Sequence, residues 1–188
     1  KFEQLLILSI RNALSQTDVN IKSPDTLLII ATTKGNIELL DPDKGRVFPG
    51  DRIHLWSTAA VIKDHFSNPN DPLIVSNACI SGVTAMNIGA DLIRRGKYAQ
   101  IIIAGGDVLS KFIISGFQSF MSLSPSACRP FDKERDGLTL GEGAGTIILS
   151  SSPGRNGKDS ITMEGGGGHN DANHLSGPSR EGEGAYLS

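Results

Sequence analysis

Residues 73–82 read "LIVSNACISG", and the rest of the chain is best read outward from them. The apolar run Pro72-Leu73-Ile74-Val75 stops near a cysteine flanked by small residues, and a segment of helical spacing follows at once. Strand, tight turn and helix in that order make up the building unit of an α/β sheet. Cys79 at such a turn has two uses open to it. A free cysteine is a small hydrophobe that favours buried places. A thiol at a helix start becomes a better thiolate, and the helix dipole and free backbone N–H groups there can also hold a developing oxyanion. The small residues Ala78, Ser81 and Gly82 would let a substrate carbonyl approach, which makes the turn the thiol counterpart of a nucleophile elbow. Packing is the commoner use of a lone cysteine, so the local pattern leaves Cys79 a candidate.

Upstream, "FEQLLILSIRNALS" (2–15) sets Phe2, Leu5, Leu6, Ile10, Ala13 and Leu14 on one helical stripe, and "TLLIIA" (26–31) has the composition of a buried strand. The spacing predicts a further helix over 53–66, closed by "SNPNDP". Downstream, a helix is expected over 81–95 with Gly96 at its stop, then a strand "QIIIAGG" (100–106) and a helix over 110–121. A polar, turn-rich stretch (122–137) precedes a strand "GTIILS" (145–150), and a last strand is expected near 160–164. The closing "EGAYLS" has the pattern of the first turns of a helix. Continuous apolar strands separated by helices imply a mostly parallel sheet covered on both faces.

Composition narrows the function classes. Among 188 residues, 18 Lys plus Arg against 20 Asp plus Glu give a formal net charge of −2, which offers nothing to nucleic acid or a membrane surface. Two cysteines, Cys79 and Cys128, make no disulfide framework and suit a reducing, cytoplasmic setting. Cys128 lies in the charged stretch "SACRPFDKERDG" with no helix start after it, so packing or neutrality is its expected role. Asp132, Glu134, Arg135 and Asp136 could form an acid/base cluster, but such a loop is usually solvated or paired within itself. "GEGAG" (141–145) precedes a strand instead of following one and is rejected as a phosphate cradle. His54 and His65 fall on a surface helix. His169 and His174 flank "NDAN" and could be imagined as bases for Cys79, a question spacing alone leaves open. Neither cysteine has metal-ligand spacing to them.

In order along the chain, "SNACISGVTAMNIGADLIRRGKYAQIIIAGGDVLS", "MSLS" and "CRPFDKERDGLTLGEGAGTIILS" resemble the elongating β-ketoacyl-acyl-carrier-protein synthases, and "ATTKGNIELLD" and "DANHLSGPSREGEGA" extend the likeness. The "RPFD..RDG" block separates these enzymes from thiolases and from the initiating synthases. The resemblance implies a thiolase-like α/β fold of two related halves stacked five layers deep. Residues 1–188 would be the N-terminal portion, with a mixed five-stranded sheet between helices, incomplete at both ends. It implies that Cys79 accepts an acyl chain from an acyl carrier protein, with its own backbone N–H as one oxyanion donor. Decarboxylative condensation with malonyl carrier protein would follow, without nicotinamide, flavin or metal.

The family's catalytic histidines lie in motifs resembling "HGTxTxxGD" and "GHxxGAAG", and neither occurs in these residues. His174 falls in the family's "YHMT"-like segment, which holds neither of those histidines, and this argues against a Cys79–His174 pair. "NACISG" stands where many relatives have "TACSSG", a change expected to alter the acyl pocket and keep the thiol. A homodimer joined through the edge strand 73–76 is implied, and the 188 residues alone would be incapable of condensation. The expected strand order also puts an opening strand in mid-sheet, which without it would leave "TLLIIA" and "QIIIAGG" each with an unpaired edge. The alternative from another class is a non-catalytic partner subunit of the chain-length-factor kind. Such partners usually replace the cysteine that is present here.

Overall fold

A computed structural model describes residues 1–152, 161–170 and 179–188. The elements are α1 (Phe2–Leu14), β1 (Thr26–Ala31), a short α2 (Pro42–Gly45), α3 (Leu55–Phe66), β2 (Leu73–Val75), α4 (Ser81–Arg94), β3 (Gln100–Asp107), α5 (Lys111–Ser119), β4 (Gly143–Ser150) and α6 (Glu183–Leu187). The strands form one sheet in the order β2-β1-β3-β4, parallel except for β4, which runs antiparallel to β3.

Every residue of β1 is buried, because the strand is covered on both faces. Its side chains alternate between two cores. Leu28 and Ile30 pack with Phe2, Leu6 and Ile10 of α1 and with Ala59, Ile62 and Phe66 of α3. Leu27, Ile29 and Ala31 pack on the other face with Val75, Ile101, Ile103 and Ala85 of α4. Complete burial of one such aliphatic side chain contributes about 1.5–3 kcal/mol, so the layered arrangement follows from the apolar runs. Helix α4 comes close to the sheet because position 89 is glycine; a Cβ there would lie 3.2 Å from both Ile101 Cγ2 and Leu149 Cδ1.

A buried polar knot ties α1 to the segment before α3. Glu3 Oε1 accepts from Asn36 Nδ2 and from the Arg52 guanidinium, each at 2.6 Å, and from Thr58 Oγ1 at 3.3 Å. Burial works to raise the Glu3 carboxyl. Hydrogen bonds from Asn36, its own backbone N–H and Arg52, together with the Arg52 charge, outweigh it and hold the carboxyl below its ordinary value.

The structure departs from expectation at three places. Among the described residues the sheet has four strands, and residues 161–164, where a fifth was expected, carry none; Ser160 lies outside the described residues. No gap opens in mid-sheet either: β1 and β3 pair directly from Thr26↔Gln100 to Ala31↔Gly105, and each has a partner on its other side. Unpaired interior edges are costly, and the two strands satisfy each other. Finally, the helix expected over 53–66 begins at Leu55, because His54 is extended and caps it. No helix among the described residues is long and apolar enough to cross a membrane.

Candidate active site

The three parallel strands end on one edge of the sheet, the edge where ligands of open α/β sheets gather. At the end of β2, Val75 accepts from the Thr32 N–H at 3.2 Å, which ties the last residue of this edge strand to the end of β1. Four residues beyond Val75, Cys79 lies in a single 3₁₀ turn, Ala78–Ile80, that runs directly into α4. Cys79 is exposed among the described residues. Its N–H falls in the first turn, where backbone donors have no intrahelical acceptor.

The turn is tightly held. Ala78 has φ +45°, a left-handed conformation that costs a non-glycine residue about 1–2 kcal/mol. Ser81 Oγ accepts from the Asn77 N–H at 2.9 Å and donates to the Ala78 carbonyl at 2.7 Å. Ile80 N–H bonds back to the Asn77 carbonyl at 3.1 Å, and Asn77 Nδ2 donates to Thr84 Oγ1 at 3.2 Å. Sequence reasoning treated Ser81 as a small residue that makes room for substrate. It is buried and braces the turn instead. A serine three and four residues after the groups it binds is the spacing of local side-chain-to-backbone bonds, and that signal was available. Within four residues after Cys79, Ile80 and Val83 present exposed apolar side chains.

A second polar group at this edge went unnoticed in the sequence. Asp107, the last residue of β3, accepts from Thr32 Oγ1 at 2.9 Å and from the Thr33 N–H at 3.3 Å. It fixes the start of the "TTKGN" loop.

The other candidates are dispersed. Cys128 is half-buried, and its N–H donates to Thr139 Oγ1 at 2.8 Å. The acidic loop residues bond within their own stretch: Asp132 accepts from the Glu134 N–H at 2.7 Å, and Asp136 from Ser124 Oγ at 2.8 Å. Arg129 donates to the Glu134 carbonyl, and Arg135 to that of Asp132. They are surface groups paired locally, and no acid/base cluster forms. The glycine run "GEGAG" enters β4 at Gly143, and its Glu142 binds the Lys1 ammonium at 2.6 Å. That contact, a bond from the Leu109 N–H and the Lys1 charge hold the Glu142 carboxyl below its ordinary value.

His54 stacks on Trp56 at 6.0 Å, and His65 meets Arg11 at 2.9 Å. His169 is exposed, and His174 lies outside the described residues. No group of three or more His, Cys, Asp or Glu is placed to hold a metal among the described residues. Two cavities among the described residues, of about 270 and 350 Å³, lie against the stretch 36–52 and are lined without Cys79.

Residues 1–153 match the family model described as the N-terminal domain of beta-ketoacyl synthase. The chain is 33% identical over 150 residues to a 3-oxoacyl-[acyl-carrier-protein] synthase 2 from Rhizobium meliloti, covering 73% of the chain and 35% of that protein. It is 29% identical over 208 aligned positions to the Staphylococcus aureus protein of the same name, covering 98% of the chain and 51% of the relative. Among solved structures, a chain of the ketosynthase–chain length factor complex from Xenorhabdus doucetiae superposes with a TM-score of 0.81 at 26% identity. That match covers 98% of this chain and 49% of the other. The chain therefore spans about half the length, or less, of the curated relatives it matches.

Proposed function

The chain belongs to the beta-ketoacyl synthase family, and from that premise we propose that it carries the acyl-accepting half of a decarboxylative condensing enzyme of fatty-acid or polyketide elongation. The observation that carries the reading is the exposed Cys79 thiol at a strained, braced turn between edge strand β2 and helix α4. In the first stage the Cys79 thiolate attacks the carbonyl carbon of an acyl thioester borne by acyl carrier protein. The carbonyl electron pair moves to oxygen, where the Cys79 N–H receives it. Collapse breaks the bond to the carrier sulfur, which leaves with the electron pair and takes a proton. In the second stage malonyl carrier protein loses carbon dioxide. The resulting carbanion forms a carbon–carbon bond to the acyl group and releases Cys79. Ile80 and Val83 offer the apolar surface that an acyl chain needs near the thioester.

The test uses the intact protein and an acyl carrier protein thioester, with the acyl-enzyme mapped by peptide mass spectrometry. Acyl mass is expected on Cys79, is lost in Cys79→Ala and is retained in Cys128→Ala. Acyl mass on Cys128, or none at all, rejects the assignment. The second outcome would support the partner-subunit alternative, which the Xenorhabdus doucetiae match to a ketosynthase–chain length factor pair also suggests. The cysteine favours the enzyme.

A homodimer completes the proposal. Strand β2 is the outer strand of its sheet, with Leu73 40% exposed, and an apolar edge of this kind invites pairing. A second copy related by a two-fold axis would cover it. Light scattering on the intact protein at micromolar concentration is expected to give twice the chain mass, and a monomer refutes this part of the proposal.

A further inference from the structure

Ser81 is 6% exposed, and both hydrogen bonds of its hydroxyl go to the turn that carries the thiol. One of them, the bond at 2.7 Å to the Ala78 carbonyl, reaches further than that turn. The Ala78 carbonyl and the Cys79 N–H belong to a single peptide unit. In a trans peptide the two point in opposite directions within one plane, so holding the carbonyl also aims the N–H. The backbone N–H of Ser81 donates to the same carbonyl, so that one residue grips this oxygen twice. A carbonyl that accepts hydrogen bonds also polarises its peptide and makes the attached N–H a stronger donor. The left-handed Ala78 is what turns this peptide, and an alanine has no intrinsic reason to remain there.

We propose that Ser81 is a positioning residue for acyl transfer. Its hydroxyl holds the Ala78–Cys79 peptide so that the Cys79 N–H faces the oxygen of the attacked thioester. This rests on the reading of Cys79 as the acyl-accepting nucleophile. It goes further by separating two properties of the turn, the reactivity of the thiol and the direction of the donor beside it. Attack on a thioester builds an oxyanion and needs that donor. Alkylation by iodoacetamide displaces iodide at a saturated carbon, builds no oxyanion and does not need it.

The two electrophiles therefore separate the roles. In the intact protein, Ser81→Ala is expected to lower kcat for acyl-enzyme formation roughly tenfold to a hundredfold, with KM and the rate of Cys79 alkylation changed by less than about threefold. Ser81→Thr keeps the hydroxyl and is expected to retain the acyl-transfer rate. Equal losses in both reactions would show that Ser81 only supports the turn and would overturn the proposal, as would acyl transfer undiminished in Ser81→Ala. Failure of the unsubstituted protein to acylate Cys79 is a distinct result. It removes the functional reading, and this inference with it.

Discussion

From Ile101 to Ala104, β3 is buried on both faces, whereas in the segment that leaves its end Met121 is 91% and Phe131 100% exposed. The two stretches are joined at Val108, yet different forces hold them. Strand β3 is fixed by neighbours on every side: β1 and β4 in the sheet, α1 on one face and α4 on the other. The stretch 122–142 is fixed mainly by its own backbone. The Leu138 N–H bonds the Ser122 carbonyl at 2.8 Å, and Ser124 N–H bonds the Leu138 carbonyl at 2.9 Å. Gly137, at φ +146°, lets the two segments meet, since a Cβ there would lie 2.5 Å from the Ser124 nitrogen. The stretch 122–142 thus contributes no buried hydrophobic residue to this chain's core.

The contrast can be tested by stability measurements. Ile102→Ala, which empties a fully buried site between β1 and β4, should lower stability by about 2–5 kcal/mol, seen as a lower urea midpoint. A cost near zero would mean that the sheet is not the stabilising unit. An intermediate effect is expected at the buried knot, and it depends on pH. Because the folded-state pKa of Glu3 is lowered, its stabilising contribution is fully present above the ordinary carboxylate value of about 4.3 and is lost as pH falls through the lowered one. Glu3→Gln should therefore remove part of the acid-side loss of stability in melts recorded from neutral pH downward. An unchanged acid limb would show that the knot does not report on folding. The smallest effect belongs to Phe131→Ala, less than about 0.5 kcal/mol in the same urea experiment. A loop substitution as costly as the core one would abolish the distinction between the regions.

The same contrast separates what was legible in the sequence from what was not. Periodicity placed α1, β1, α4 and β3 within a residue or two, because their apolar residues have only the sheet to pack against. The strand–turn–helix setting of Cys79 was equally legible. The brace around it was not recognised, since a serine near a helix start looks the same whether it faces solvent or turns back to its own backbone. Direct pairing of β1 with β3 could not be read either, because hydrophobic runs say that a strand is interior and not which strand lies beside it. The significance of "RPFD" came from resemblance alone. Its side chains are bound to little outside their own loop, so no periodicity or burial signal marks them.

Strand β4 runs antiparallel to β3, with Asp107 paired to Gly143. Residues 108–142 consequently leave and rejoin the sheet at the same edge, the one beyond which Cys79 stands. In polymer terms they are a closed loop whose ends the sheet has already brought together. Doubling the length of such a loop costs only about 0.6 kcal/mol in closure entropy, so insertions and deletions there leave the sheet almost unaffected. A scaffold built this way can vary the loop at its strand ends without refolding.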